Sequence, residues 1–244
     1  MNTVISNAIQ EKLKQIKPHL EEQFEMEISA RAYDVADPAM RRMLLSELKK
    51  DMEWHWRDRI EHWRKEVTAC MYPPSIFRSR EYRFLFNSKS RELNDSRDIL
   101  GSVVCHELLH EVFDKRFVQG VIEKFDFIAF PLLSEGFSEY GSLDVFRNLY
   151  TQEEKGITKR KEDCLALALE YQSEEKSPLE EDIVQVRWER LTGYDAHSLG
   201  YVFYMEHLRE NAVLEKFIDL PIQFSKEERE TFNSRIRTFL ERYV

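Results

Sequence analysis

The stretch from Val103 to Asp114 reads VVCHELLHEVFD, and within it His106, Glu107 and His110 form an HExxH pattern. Residues four apart on an α-helix project from nearly the same face. Two imidazoles at that spacing can reach one metal ion at the roughly 2.0–2.1 Å that a zinc–nitrogen bond requires. Glu107 is turned about 100° from His106, too far round the helix to bind the ion easily, but placed to take a proton from a water on it. The chemistry such a trio could do is metal-assisted hydrolysis, with His106 and His110 as ligands and Glu107 as general base. The alternative is an ordinary amphipathic helix whose two histidines are exposed or hydrogen-bonded.

A catalytic zinc takes three protein ligands and a water. Downstream, Leu132 to Tyr140 reads LLSEGFSEY. The intervening chain is long enough for a loop and a returning helix. Glu135 and Glu139 are four apart and share a helix face, so one can bind the metal while the other orients a ligand histidine through its free N–H. Gly136 between them lets two helices approach closely. Both carboxylates could also lie on a solvated face, but Phe130, Leu132, Leu133, Phe137 and Tyr140 make an apolar setting.

HELLH followed by SEGFSEY resembles the gluzincin metallopeptidases, the zincin group that includes thermolysin-like and aminopeptidase-like enzymes. The resemblance implies a zincin-like catalytic domain holding one Zn2+ per chain. Glu135 matches its third metal ligand, and Glu139 matches the acidic residue that supports the first histidine. It also implies a strand beside the active-site helix that pairs with an extended substrate. Tyr82 to Asn87 (YRFLFN) is in the right place, which makes Arg83, Phe84, Leu85 and Phe86 the substrate-binding strand. Ala196 to Leu208 (AHSLGYVFYMEHL) is similar to the group's helix that begins Y-x-x-G. There His197 stands at the residue that steadies the oxyanion, a role histidine fills in the thermolysin-like branch; Asp195 could orient it, and Tyr194 and Tyr201 are alternatives. The resemblance spans roughly residues 80–210. The metzincin extension is absent, with Phe113 and Arg116 where Gly and His would stand. The GxMEN motif of the large aminopeptidases is missing too, so exopeptidase action is not implied.

The elements that must position these groups follow from composition and periodicity. At 244 residues and 42% hydrophobic, the chain can bury a substantial core, while only 7 Gly and 7 Pro favour helices over a many-stranded fold. The spacing predicts a helix over Ile5–Ile16 that stops near Pro18. Alternation predicts a strand over Glu25–Tyr33, with Met26, Ile28, Ala30 and Ala32 on one side. Asp37 caps a helix that opens at Pro38 and runs to about Glu66. Val67–Tyr72 and Tyr82–Asn87 read as strands, and Ser88–Ser96 as a loop. Helices are expected at about 96–115, 134–150, 159–173, 179–191, 196–210 and 226–242. Asp95 or Ser96 would cap the first of these, with Asp98 in its first turn and Leu100, Val103, Val104, Leu108 and Val112 as its apolar stripe. The fold class expected is α+β, predominantly helical: one zincin-like domain over 1–244, mixed α/β over 1–95 and helical, with the metal site, over 96–244.

Lys plus Arg total 36 against 45 Asp plus Glu, a net charge of −9, which disfavours general binding to nucleic acid or an anionic membrane. Cys70, Cys105 and Cys164 form neither a disulfide framework nor a CxxC knuckle. Cys105 reads as a small buried hydrophobe pointing off the metal face. No signal peptide and no apolar run of membrane-spanning length is apparent, so a cytoplasmic location is expected. His55 and His62, among three tryptophans over Asp51–Trp63, share a helix face. A second metal site there lacks a third ligand, and a packing helix or an aromatic binding stripe is the plainer reading. The function expected is a zinc-dependent metallopeptidase acting on a peptide or protein substrate. The alternatives are a catalytically inactive zincin-fold metal-binding or interaction module, a metal-free helical interaction protein, and hydrolysis of a non-peptide amide.

Overall fold

The computed structural model describes residues 3–50, 69–95, 97–116, 126–173, 193–208 and 226–243. These residues are mostly helical, with one three-stranded sheet, an α+β architecture. The chain divides into two compact units, Met1–Val112 with Arg147–Gly156, and Phe113–Phe146 with Ile157–Val244.

In the first unit, α1 (Thr3–Phe24) buries Ile5, Ile9, Leu13, Ile16, Leu20 and Phe24 along one stripe. That stripe carries the helix through the expected stop at Pro18, which faces solvent. The helix ends instead at Glu25, whose φ of 48° is left-handed. Its N–H reaches Glu22 O at 3.4 Å and the Met26 N–H reaches Glu21 O at 3.2 Å, the Schellman pattern that closes a helix. Residues 25–30 are therefore not the strand that alternation suggests. β1 is only Arg31–Asp34, and Tyr33, expected on the outer side, is buried. Asp37 caps α2 (Pro38–Glu47) as expected, accepting from Ala39 N at 2.7 Å and Met40 N at 3.4 Å. The helix stops at Glu47, because Leu48 turns into a bridge with Phe77. The expected continuation, with His55, His62 and the tryptophans, lies outside the described residues.

β2 (Ala69–Tyr72) and β3 (Arg83–Phe86) complete the sheet in the order β1-β3-β2. β3 pairs in parallel with β1, Tyr33 opposite Leu85, and antiparallel with β2, Cys70 opposite Leu85. Being central corrects the substrate-strand expectation: the backbone edges of Arg83, Phe84, Leu85 and Phe86 are both used within the sheet, so no peptide can add to them. All four side chains are buried. Leu85 joins Tyr33, Val35, Leu44, Leu48, Ile76 and Phe77 in the core. Arg83 is fully buried between the rings of Tyr33 and Phe77, 5.5 and 5.2 Å from their centroids, and pairs with Glu47 Oε2 through Nη2 at 2.6 Å and Nε at 2.7 Å. Glu47→Ala leaves that guanidinium only the longer Glu81 pair, Nη1 to Oε2 at 3.5 Å, and carbonyl acceptors, so unfolding in denaturant should show a loss of about 2 kcal/mol; Arg83→Met with Glu47→Leu should recover most of it.

After β3 the chain forms a short helix, α3 (Arg91–Asp95), where a loop was expected. The long helix α4 (Leu100–Arg116) follows.

In the second unit, α5 (Asp126–Tyr140) begins earlier than expected and accommodates Pro131. At Tyr140 it gives way to a π-turn, Gly141–Val145, closed by Phe146 N–H to Gly141 O at 2.9 Å. The expected single helix over 134–150 is thus broken. α6 (Glu154–Ser173), α7 (Gly193–Leu208) and α8 (Lys226–Tyr243) follow. α5 and α7 touch backbone to backbone at Gly136 and Gly200. Aromatic rings fill the flanks: Phe137 on Tyr204, Tyr140 on Tyr201 and Tyr204, and Phe203 on Phe239. Among the described residues, no helix is long and apolar enough to cross a membrane.

Candidate metal centre

From Leu100 to Phe113 nearly every α4 side chain is buried, including the polar His106, Glu107 and Glu111 at 6, 6 and 0% exposure. Burying ionisable groups on an otherwise apolar helix is costly unless each is held or used. Glu111 is held: its carboxylate accepts from Ser29 N at 2.6 Å, Ser29 Oγ at 2.8 Å and Ala30 N at 2.9 Å. This clamp ties α4 to the chain entering β1. The N-terminus of α4 is held by Glu153; of the two caps expected, Asp95 ends α3 and Ser96 lies outside the described residues. Both Glu153 oxygens take Gly101 N at 2.8 Å, Oε2 takes Ser102 N at 3.2 Å, and Lys12 Nζ balances the charge at 2.9 Å. A carboxylate there satisfies the orphan N–H groups and suits the positive end of the helix dipole.

On the helix so fixed, His106 and His110 meet. Their Nε2 atoms are 3.1 Å apart and their rings stand edge-on at 80°. Two nitrogens bound to one tetrahedral zinc lie about 3.3 Å apart, by the usual bond length and angle. The observed separation fits that donor pair to within a few tenths of an ångström. Glu107 is near enough to β2 that its charge adds to burial in holding the Cys70 thiol well above its ordinary range. Cys105 is buried, as expected, and burial pushes its thiol up to about 12.

In the second unit, Glu135 and Glu139 stand one turn apart on α5, and α7 brings His197 to both. His197 Nδ1 is 3.2 Å from Glu135 Oε2 and 3.6 Å from Glu139 Oε2. The close approach at Gly136 and Gly200 makes this possible, since any Cβ there would hold the helices apart. The two carboxylates differ in their surroundings. Glu139, 7% exposed, takes Arg160 Nε of α6 at 2.6 Å and has Cys164 Sγ at 3.9 Å; the Glu135 side chain is 27% exposed. Tyr201 is not available as the oxyanion group. Its hydroxyl donates to Asp144 Oδ2 at 2.9 Å, Lys161 holds the other Asp144 oxygen at 2.6 Å, and burial followed by that negative charge raises the phenol's pKa far out of range. The side chains of Tyr194 and Asp195 lie outside the described residues.

Each unit thus offers donors of the kind a zinc ion takes, two imidazoles in the first and carboxylates with an imidazole in the second. The histidine pair and the downstream carboxylates were legible as sequence. Glu111, Glu153 and Arg160 were not: each acts on residues far away in the chain, and no local pattern marks it. No protein-family model, curated protein or solved structure matches the chain.

Proposed function

We propose that the chain is a zinc-dependent metallopeptidase of gluzincin type with a zincin-like catalytic domain, its zinc held by His106, His110 and Glu135. The observation that carries the reading is the 3.1 Å approach of the two Nε2 atoms on a buried, clamped helix. A contact inside the second unit supports bringing in α5. Phe113, on the same α4 face as His106 and His110, packs on Phe137, with ring centroids 5.5 Å apart. Phe137 lies between Glu135 and Glu139 on α5.

When bound, zinc supplies a Lewis acid that polarises the scissile carbonyl and brings a water's pKa towards about 7. Glu107 takes the proton of the attacking water on its carboxylate and later passes it to the leaving amine. His197 steadies the oxygen that gains negative charge. Its Nδ1 faces Glu135 and Glu139, so this role falls to Nε2. An extended substrate needs an outer strand, and β3 is central. Among the described residues β1 and β2 are outer, and β2 carries Cys70 beside Glu107, which favours β2.

The test is metal content by elemental mass spectrometry. Wild type should purify with, or take up, about one zinc per chain, and His110→Ala and Glu135→Ala should lose most of it. A wild-type chain that takes up no zinc from micromolar solution sinks the reading.

A further inference from the structure

We propose that Arg160 decides which of the two α5 carboxylates serves the metal, by committing Glu139 to an ion pair and so reserving Glu135 as the ligand. This rests on the zinc reading above. Sequence spacing makes Glu135 and Glu139 near equals, one turn apart on a single helix face. Both approach the same His197 nitrogen, at 3.2 and 3.6 Å, so Glu139 and His197 also carry donor atoms close enough to serve one ion.

The difference comes from α6. Arg160 Nε meets Glu139 Oε1 at 2.6 Å, where the two side chains are only 20 and 7% exposed. An ion taken by Glu139 would draw on a charge already compensated by the guanidinium. Breaking the pair would cost Arg160 a close, largely buried partner, the expensive way to disrupt a buried ion pair. Arg160 is therefore a positioning residue: it touches neither the metal nor the substrate and acts through Glu139. With Oε1 held by Arg160, the other Glu139 oxygen, Oε2, lies 3.6 Å from His197 Nδ1.

The experiment measures zinc affinity by chelator competition on full-length protein, for Glu135→Ala in two backgrounds. In the wild-type background Glu135→Ala should weaken zinc binding by at least about 100-fold. In the Arg160→Met background the same substitution should cost only about 10-fold, because the released Glu139 substitutes. Adding Glu139→Gln to Arg160→Met should restore the larger loss. Arg160→Lys keeps a cation and should behave as wild type. A purely structural Arg160 would lower the melting temperature and leave the ratio between backgrounds unchanged. Equal losses in the two backgrounds overturn the assignment of Arg160 while the zinc site stands. No zinc on the wild-type chain overturns the metal reading, and this inference with it. If Arg160→Met does not fold, Arg160→Gln serves as the second background with the same two outcomes: a smaller loss for Glu135→Ala there supports the proposal, and an equal one overturns it.

Discussion

Glu107→Gln is expected to keep zinc at about one per chain and to lower peptide hydrolysis by about 10²–10⁴-fold, the range of a general base. The substitution suits the question because the amide has the shape of the carboxylate it replaces, at a site only 6% exposed. What it removes is the capacity to accept a proton. Glu107 is turned away from the His106–His110 face, so the metal ligands are untouched. A readout without catalysis accompanies this one. Burial is the larger cause of the raised Cys70 pKa and Glu107 the next. A negative neighbour disfavours thiolate, so its removal should lower the Cys70 pKa in the metal-free protein. The fall should stop short of an ordinary thiol, because burial remains. Alkylation rate against pH measures it. Undiminished hydrolysis by the variant would remove Glu107 from the mechanism, and an unmoved Cys70 would mean that its carboxylate is not beside β2.

Gly136→Ala should be the most damaging single methyl group in the second unit. A Cβ there would lie 2.5 Å from Gly200 C and O and 2.7 Å from Gly200 Cα. The mirror substitution, Gly200→Ala, meets Gly136 Cα and N and Leu132 O, each at 2.6 Å. Every obstacle is backbone, so no rotamer change relieves it and α5 and α7 must part. On an unobstructed helix Gly→Ala stabilises by about 1 kcal/mol, so the expected sign is reversed by the contact. Overpacking at this closeness costs about 3 kcal/mol, or roughly 10 °C in melting temperature for a chain of this size. Parting the helices also moves His197 from Glu135, now 3.2 Å away, so zinc affinity should fall with stability. Thermal melting with and without zinc reads both. A melting temperature equal to or above that of the wild type would show that the helices do not cross at these glycines.

What the residues determined alone was local. The i, i+4 spacing of His106 and His110 needs only an α-helix to bring the rings together, and they meet. The Asp37 cap with Pro38 behind it formed as written, because capping engages N–H groups two and three residues on. Strands near 69–72 and 83–86 were legible from β-branched, aromatic and apolar runs. Where a local signal conflicted with packing, packing prevailed: α1 continues past Pro18 because Leu20 and Phe24 extend its buried stripe, and alternation over 25–30 yields to the Schellman turn at Glu25.

Only the tertiary structure decided the rest. Nothing in YRFLFN distinguishes a central strand from an edge, since that depends on which distant segments pair with it; parallel β1 and antiparallel β2 took both edges of β3 and with them the role assigned to it. Glu153 beneath α4, Glu111 on Ser29 and Ala30, and Arg160 on Glu139 are likewise ordinary charged residues until the chain folds. Side-chain spacing along one helix is a property of the sequence. The partner that satisfies or neutralises a buried charge is chosen by long-range contacts, and those are made only when the elements pack.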